Sequence, residues 1–459
     1  MRTKPLTTKV HQRRGRAGLP QAKTTLTDEI RDIILRNRER ERIGIVSVCS
    51  AHPRVLEAAM RQAIADDTML CVESTSNQVN QFGGYTGLTP SQFAGYLAGI
   101  ARQVGFPSGR ILLGGDHLGP YPWRREPSRD ALHKASVLVR SCVLAGYVKI
   151  HLDASMACAD DVALDDQLVA TRAADLCRAA EEAWEELPEG SPRLQYVIGT
   201  EVPVPGGEAS GTAGPQPTKV DDSRRTLEIA RAAFLERGLD EAWERVIGLV
   251  VQPGVEFGDA VIFDYDRKKA SALSANLPAS PALVYEAHST DYQKPEALRQ
   301  MVEDHFAILK VGPWLTFVFR EAVFALSAVE REWLGSHKGF HLSQVSDALE
   351  KAMLRNPEYW KDYYPAQEPE AQFARRYSFS DRCRYYWPDA AVQKEVDRLL
   401  KNLSNAPIPL TLLSQHLPEQ YERVREGKIC NTPESLIEDR IRQVLRFYSA
   451  ACGNLQGYD

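Results

Sequence analysis

The chain has 459 residues, of which 43% are hydrophobic and 25% are charged, and its formal net charge at pH 7 is −5. This length suits one large domain with an appendage, or two domains. The composition is typical of a globular protein. No sustained basic stripe is present, which argues against nucleic acid as the main partner. No run of about eighteen apolar residues is present either, so we expect no membrane span.

The N-terminal segment and the cysteines bear on location. Residues 1–27 are basic and contain no acid before Asp28. We interpret them as a disordered tail, because they lack the amphipathic apolar face of a transit peptide. The eight cysteines are scattered, without a Cys-x-x-Cys pair, which is typical of reduced thiols. We therefore expect a cytoplasmic protein.

The body of the chain alternates short apolar runs with helix-like segments. A capping signal at Thr27 predicts a charged helix to about Glu41. Eight apolar runs follow: Gly44–Cys49, Met69–Glu73, Ile111–Gly114, Tyr147–Leu152, Gln195–Thr200, Val246–Val251, Ala282–Ala287 and Phe306–Val311. Continuous apolar strands between amphipathic helices predict a parallel sheet buried on both faces. Eight such units match an α/β fold of the (β/α)8 TIM barrel type. A doubly wound open sheet is the alternative, because strand count alone does not establish closure.

We predict that the barrel spans residues 28–330, with Trp314–Val329 as its eighth helix. Residues 331–459 are predicted to form a helical C-terminal extension packed on the barrel. Between Tyr359 and Trp387 this extension is rich in aromatic residues and arginines. We expect that stretch to serve mainly in packing, although one of its arginine or tyrosine side chains could reach a substrate.

The stretch from Ile111 to Pro120 carries the strongest chemical signal. An apolar run there leads into two glycines, followed directly by Asp116 and His117. A carboxylate beside an imidazole at the end of a buried strand suits metal binding or proton transfer. The Gly-Gly-Asp-His sequence has little rationale in packing alone.

Other polar residues follow the remaining strands, and in a closed barrel they would face one shared site. Imidazoles with a carboxylate suit Zn²⁺, whereas carboxylates with an amide also tolerate Mg²⁺ or Mn²⁺. As metal ligands we predict His117, Glu201 and His288, with Gln252 as a candidate fourth. Asp116 is the main candidate for general acid/base chemistry, followed by Asp153 and Glu73. The predicted substrate-binding residues are Ser50, His52, Asn77, Gln78, His151, Ser289 and Asp291.

Structural interpretations compete with three of these assignments. His52, which precedes Pro53, could serve only to cap the following helix. His151 could be a hydrogen-bonded barrel residue rather than a ligand. Glu73 could be a buried salt-bridge partner.

Nucleotide-binding motifs are missing from the sequence. There is no Gly-x-Gly-x-x-Gly after the first strand and no Gly-x-x-x-x-Gly-Lys-Ser/Thr. Nicotinamide and mononucleotide binding therefore lose their usual support.

Several motifs together point to a family. The segments Ser47–Pro53, Glu73–Gly87, Gly114–Trp123, Lys149–Ser155 and Gly199–Gly207 resemble the D-tagatose-1,6-bisphosphate aldolase Z-type subunit family. Its members have also been labelled tagatose-6-phosphate kinases. The resemblance covers about residues 28–450, and the run Asn-Gln-Val-Asn-Gln-Phe-Gly-Gly-Tyr within it is long enough to be specific.

The resemblance implies a relation to metal-dependent class II aldolases. Their metal-binding Asp-His would correspond to Asp116 and His117, and a later histidine ligand to His288. Lys310-Val311-Gly312 resembles the sequence of their final strand, which lies next to the phosphate site. Two features depart from the pattern: Gln252 stands where those aldolases have their middle histidine ligand, and Ser289-Thr290-Asp291 replaces the glycine-rich phosphate loop. These departures argue against ordinary bisphosphate aldolase activity.

The resemblance implies two roles in galactitol or tagatose catabolism. The first is a metal-dependent ketohexose-6-phosphate 4-epimerase that interconverts D-tagatose 6-phosphate and D-fructose 6-phosphate by retro-aldol chemistry. The second is a non-catalytic subunit that supports a separate class II aldolase. A sugar-binding or scaffold protein without chemistry is a third candidate. A kinase is disfavoured, because no glycine loop for ATP phosphates is present.

The expected partners are a phosphorylated ketohexose, a class II aldolase subunit and further copies of this chain. Candidate phosphate-binding arginines are Arg124, Arg382 and Arg384.

Overall fold

The structure is a computed structural model that describes residues 25–199, 214–280 and 282–454. Ten strands lie in these ranges: β1 Ile45–Val48, β2 Leu70–Thr75, β3 Ile111–Leu118, β4 Lys149–Leu152, β5 Gln195–Ile198, β6 Val246–Val251, β7 Glu256–Phe257, β8 Ile262–Phe263, β9 Val284–Ala287 and β10 Phe306–Val311. Eight of them form a closed parallel barrel in the order β1-β10-β9-β6-β5-β4-β3-β2, and β7 and β8 form a separate antiparallel ribbon. The predicted TIM barrel is confirmed, and the open sheet is excluded because β1 pairs with both β2 and β10.

The helices described are α1 Leu26–Arg38, α2 Pro53–Asp66, α3 Pro90–Val104, α4 Ser128–Leu144, α5 Asp166–Glu185, α6 Val220–Leu235, α7 Asp240–Trp243, α8 Arg267–Ser274, α9 Pro295–Glu303, α10 Pro313–Leu334, α11 Val345–Arg355, α12 Glu370–Tyr377, α13 Ala390–Asn405, α14 Leu410–His416, α15 Pro418–Arg425 and α16 Pro433–Ala451. A 3₁₀ segment, Arg382–Tyr386, lies between α12 and α13. Helix α10 runs through residue 330, so the barrel and the extension share this helix.

Helix α1 closes one end of the barrel. It begins at Leu26 with a capping box between Thr25 and Asp28, so the last residues of the predicted tail belong to this helix; residues 1–24 lie outside the described residues. Ile30 and Ile34 are fully buried and pack in the same apolar cluster as side chains of the barrel strands. Because α1 precedes β1, it covers the end of the barrel opposite the carboxyl ends of the strands.

The eighth position of the helical ring is filled by α16. This helix packs against α2 and α9, the first and last helices that alternate with the barrel strands, and also against α10. Tyr448 of α16 donates a hydrogen bond to the carbonyl of Thr290. The predicted eighth barrel helix, Trp314–Val329, is helical and lies within α10. The groove between α2 and α9 is nevertheless occupied by α16. The extension is therefore part of the barrel wall.

Two further observations concern the whole of the described chain. All eight cysteines are free thiols. No helix in the described ranges is long and apolar enough to cross a membrane.

Candidate active site

Asp116 and His117 lie at an irregularity within β3, not beyond its end. The register of β3 against β4 shifts between Gly115 and Leu118. His117 has a φ of 49°, a left-handed conformation that costs a non-glycine residue on the order of 1 kcal/mol or more. The sequence predicts that the strand stops at Gly114, whereas the structure continues it through this bulge to Leu118. Bulges of this kind commonly re-aim side chains next to active sites.

Glycines beside the bulge allow close approach of neighbouring groups. A Cβ on Gly114 would lie 2.8 Å from Cγ of Glu73, and a Cβ on Gly119 would lie 1.6 Å from the carbonyl oxygen of Asp153. A side chain at either position would therefore displace the functional groups on β2 or after β4.

Three imidazoles and one carboxylate converge at this point. Asp116, His117, His151 and His288 are all buried, and each offers one potential ligand atom within 4.8 Å of the others. The ring centroid of His117 is 4.9 Å from that of His151 and 5.0 Å from that of His288. We call these four residues the ligand cluster.

The ligand cluster fits a divalent metal ion. Three imidazole nitrogens are the protein donors of many catalytic Zn²⁺ sites, which keep one position open for substrate, and Asp116 would then be free for proton transfer. Nε2 of His151 is buried and has no hydrogen-bond partner among the described residues, and a bound cation would satisfy this atom. Nδ1 of His117 lies 2.7 Å from Oδ2 of Asp153, the contact by which a carboxylate orients a metal-binding imidazole. The residues present can therefore hold a metal, and the preference for zinc over magnesium or manganese stays a prediction.

A network of buried charges lies next to the ligand cluster inside the barrel. Nζ of Lys149 is 2.7 Å from carboxylate oxygens of both Glu73 and Glu286. Nζ of Lys310 is 2.8 Å from Glu73 and 2.7 Å from Asp116. On β4, Lys149 lies two residues before His151, and on β9, Glu286 lies two residues before His288. Both charged side chains are therefore one layer deeper in the barrel than the imidazoles. The buried carboxylates are thus held in place by two ammonium groups.

These neighbours determine which groups carry charge. Burial alone would raise the pKa of Asp116, but the charges of His117 and Lys310 outweigh it and hold that pKa well below its ordinary value. Burial lowers the pKa of His117, but Asp116 and Asp153 outweigh this effect and raise that pKa. Burial also lowers the pKa of His288, to about 4. His288 is therefore neutral near pH 7, which is the form that binds a metal.

Asp153 and Glu73, the secondary acid/base candidates, are both engaged in structural contacts. Oδ1 of Asp153 accepts hydrogen bonds from the backbone N–H and hydroxyl of Ser155, and Oδ2 contacts His117. Glu73 is fully buried between Lys149 and Lys310. This arrangement matches the alternative interpretation of Glu73 as a salt-bridge partner. Asp116 is therefore the residue for which we propose the acid/base role.

An open cavity, which we call the mouth cavity, lies over the ligand cluster. Its lining contains Asn77, Gln78, Asp116, His117, His288, Ser289 and Asp291 of the predicted site. The other lining residues are Cys49, Thr75, Tyr85, Phe257, Lys310, Val311, Gly312, Pro313, Arg384 and Tyr385. The barrel thus brings together predicted residues from strands that are far apart in the sequence.

Asp291 occupies a defined position in the wall of this cavity. Its Oδ1 accepts hydrogen bonds from the backbone N–H of Gly312, at 3.0 Å, and of Trp314, at 2.8 Å. Burial raises the pKa of Asp291 to about 6.

A second cavity of about 260 Å³, which we call the side cavity, adjoins the mouth cavity and shares Cys49, Gln78, Tyr85, Gly312 and Arg384 with it. Its own lining residues are Ser50, Ala51, His52, Pro53, Thr86, Leu88, Tyr96, Thr316, Trp387, Pro388 and Gln393. The predicted residues Ser50 and His52 therefore lie in the side cavity.

His52 occupies the N-cap position of α2, but its side chain makes no capping hydrogen bond. Its ring instead packs 4.3 Å from that of Phe319, and burial lowers its pKa to about 3. The interpretation of His52 as a helix cap is therefore wrong for its side chain.

Gln252, the candidate fourth metal ligand, is not part of the ligand cluster. Oε1 of Gln252 accepts hydrogen bonds from the backbone N–H of Gly254 and Val255, so its amide oxygen is already used to shape the loop after β6. Glu201 lies outside the described residues. Of the predicted metal ligands that are described, His117 and His288 belong to the ligand cluster, which Asp116 and His151 complete.

Some functional residues were not assigned from the sequence. Lys149 and Lys310 lie inside apolar strands, where a charged side chain has to be paired, and this signal could have identified the ionic network. Tyr385 lines the mouth cavity without having been assigned a role, next to Arg384, which is one of the three candidate phosphate-binding arginines. By contrast Arg124 stacks over the ring of Tyr121 at 4.2 Å, and neither Arg124 nor Arg382 lines the mouth cavity.

A known protein family matches most of the chain, including the candidate active site. The family described as "D-tagatose-1,6-bisphosphate aldolase subunit GatZ/KbaZ-like" matches residues 30–453. The chain belongs to this family. The membership expected from the sequence motifs is thereby confirmed, and the GatZ/KbaZ-like match includes every described residue of the ligand cluster and of both cavities.

Individual relatives agree with this assignment. The chain is 50% identical over 424 residues to D-tagatose-1,6-bisphosphate aldolase subunit GatZ of Salmonella agona, which covers 92% of this chain and 99% of the relative. The Klebsiella pneumoniae protein of the same name is 50% identical over 426 residues, covering 93% of this chain and 99% of the relative.

A solved structure from Sinorhizobium meliloti, named a probable tagatose 6 phosphate kinase, is 43% identical with a TM-score of 0.81; the match covers 89% of this chain and 100% of that chain. The GatZ/KbaZ-like chain thus shares its fold with a protein named for tagatose 6-phosphate.

Proposed function

We propose that this chain is the non-catalytic Z-type subunit of a D-tagatose-1,6-bisphosphate aldolase. The observation that carries the proposal is the 50% identity to proteins with this name, over 99% of their length. The substrate class in those names, a phosphorylated ketohexose, suits an open polar cavity over a candidate metal site. In this role the chain supports a separate class II aldolase subunit that performs the cleavage.

A second candidate function is favoured by the ligand cluster itself. A subunit that only stabilises a partner has no need of three buried imidazoles and an ionised carboxylate whose potential ligand atoms lie within 4.8 Å of one another. The second proposal is therefore that the chain is itself a ketohexose-6-phosphate 4-epimerase.

The chemistry of C4 epimerisation matches these groups. C4 of a 2-ketose is not adjacent to the carbonyl carbon, so removal of a C–H proton cannot invert it. Cleavage of the C3–C4 bond can, because the resulting aldehyde rotates and then rejoins C3 through its other face. Asp116, held as a carboxylate by His117 and Lys310, would accept the proton of the C4 hydroxyl and return it after C–C bond formation. A divalent metal held by the ligand cluster would stabilise negative charge on the C2 and C3 oxygens.

One experiment distinguishes the two proposals. The zinc-loaded chain, purified alone, is incubated with D-tagatose 6-phosphate, and the configuration at C4 is followed by NMR. Appearance of D-fructose 6-phosphate, lost in Asp116→Asn but retained in the surface control Asp130→Asn, supports the epimerase.

Failure to convert the substrate, combined with increased activity or stability of an added class II aldolase, supports the subunit role and eliminates the epimerase. If neither effect occurs, both proposals are wrong.

A further inference from the structure

The backbone N–H groups that frequently bind phosphate in barrel proteins are already hydrogen-bonded to a side chain in this protein. Barrel proteins frequently bind phosphate with backbone N–H groups in the loops after the seventh and eighth strands. Here Gly312, directly after β10, and Trp314 donate their N–H groups to Oδ1 of Asp291, at 3.0 and 2.8 Å. A phosphate there would lose these donors and face a buried carboxylate. The phosphate of a ketohexose phosphate therefore needs another partner.

Arg384 is the cation best placed to be that partner. It lines both the mouth cavity and the side cavity. Its guanidinium donates hydrogen bonds to the backbone carbonyls of Ser380 and Asp381 and to the hydroxyl of Tyr385. These contacts fix the orientation of the group without neutralising its charge.

The other ammonium or guanidinium group in the two linings is Lys310. Nζ of Lys310 forms close ion pairs with Glu73 and Asp116. Among the described residues, by contrast, no carboxylate oxygen forms an ion pair with Arg384. The buried carboxylates of Asp381 and Asp291 interact with the charge of Arg384 only at longer range, so its guanidinium can still form a direct ion pair, and its planar shape matches phosphate oxygens well.

The side cavity adds donors and lacks competing acids. None of its lining residues is Asp or Glu, whereas Asp116 and Asp291 line the mouth cavity. Trp387 is fully buried, yet its indole Nε1 has no hydrogen-bond partner among the described residues, and neither has Nδ1 of His52. An indole N–H is a donor only, so an acceptor oxygen brought into this cavity would satisfy it.

We propose that Arg384 binds the phosphate group of the substrate at the boundary of the two cavities, with the indole N–H of Trp387 as a further donor. The reacting carbons then lie in the mouth cavity over Asp116. This inference rests on the proposed function, since it takes a phosphorylated ketohexose as the ligand. It assigns phosphate recognition to the C-terminal extension instead of the loops after the last barrel strands.

The test measures binding of D-tagatose 6-phosphate, D-tagatose and inorganic phosphate to the full chain by calorimetry. Arg384→Gln is expected to weaken binding of D-tagatose 6-phosphate by about tenfold to a hundredfold, with little change for D-tagatose. Arg384→Lys should lose less, because it keeps the charge, and Trp387→Phe should cause a smaller loss that is also specific to the phosphorylated sugar. Arg398→Gln is the matched control, because Arg398 lies in the same extension but is paired with Glu395 outside both cavities.

The outcomes separate this inference from the proposed function. Tight binding of D-tagatose 6-phosphate that is unchanged in Arg384→Gln would overturn the inference and leave the function standing, as would equal losses for D-tagatose and its phosphate. If only inorganic phosphate binds, and does so through Arg384, the anion site stands and the proposed substrate is wrong. Binding of none of the three ligands to the native chain would overturn both this inference and the epimerase proposal, whereas the subunit role is tested separately by its effect on an added class II aldolase.

Discussion

Lys149 offers a direct test of the ionic network, because it is fully buried and lies 2.7 Å from both Glu73 and Glu286. The substitution Lys149→Met keeps the length of the side chain and removes its charge. The ionic network then holds three carboxylates (Glu73, Asp116 and Glu286) and one ammonium, that of Lys310. A carboxyl left without a partner in the interior can take up a proton, and for an ordinary pKa of about 4.3 this costs about 4 kcal/mol at pH 7 and about 1 kcal/mol at pH 5.

We therefore expect Lys149→Met to lower the free energy of unfolding by about 4 kcal/mol at pH 7, and by only about 1 kcal/mol at pH 5. The sign follows because the variant raises the folded-state pKa of a carboxyl, so its stability is lost as the pH rises. Urea unfolding followed by tryptophan fluorescence, with EDTA present to exclude metal binding, measures both values.

Two further variants make this test specific. Lys294→Met, which removes an exposed pair with Asp264, should change stability by less than about 1 kcal/mol. Adding Glu286→Gln to Lys149→Met should restore most of the loss. Equal destabilisation at both pH values, or a double variant no more stable than the single one, would refute the ionic network as the cause.

Three other predictions follow from the site and the helices. His151→Gln should lower zinc affinity at least about tenfold, measured by equilibrium dialysis and elemental analysis. His133→Gln and Gln252→Ala should leave zinc affinity unchanged, and a loss of zinc affinity in Gln252→Ala would show that Gln252 is a ligand. Burial raises the pKa of Asp291 from 3.8 to about 6, so its contribution to stability is complete below about pH 4 and is lost as the pH rises through 6. Asp291→Asn, whose Oδ1 can accept the same hydrogen bonds, should then be about 3 kcal/mol more stable than the native chain at pH 7 and equal to it at pH 4; a pH-independent difference would contradict the burial argument. Thr89→Ala removes the capping box of α3 and should lower the free energy of unfolding by about 1 kcal/mol, and unchanged urea unfolding would show that this cap is redundant.

Two of the four residues of the ligand cluster could be predicted as metal ligands from their positions near the ends of strands. The apolar runs located His117 and His288 near the carboxyl ends of their strands, which face the barrel mouth. The same reasoning assigned His151 to the substrate and Gln252 to the metal, although His151 lies within β4 and Gln252 directly follows β6. The structure separates them: Nε2 of His151 stays without a partner, while Oε1 of Gln252 is bound by two backbone N–H groups of its own loop. That difference arises from local loop geometry, which strand spacing does not encode.

The sequence by itself determined the eight alternating strand–helix units and the family. Apolar strands alternating with amphipathic helices require a parallel sheet that is buried on both faces, and the run from Asn77 to Tyr85 is long enough to be specific. That this sheet closes into a barrel, instead of remaining a doubly wound open sheet, was decided by the pairing of β1 with both β2 and β10. Only the tertiary structure decided that α16 completes the helical ring, that Asp291 occupies the backbone donors after β10, and that Arg384 reaches the mouth cavity. These contacts join residues up to several hundred positions apart, and they depend on how the extension folds back on the barrel, which periodicity along the chain cannot specify.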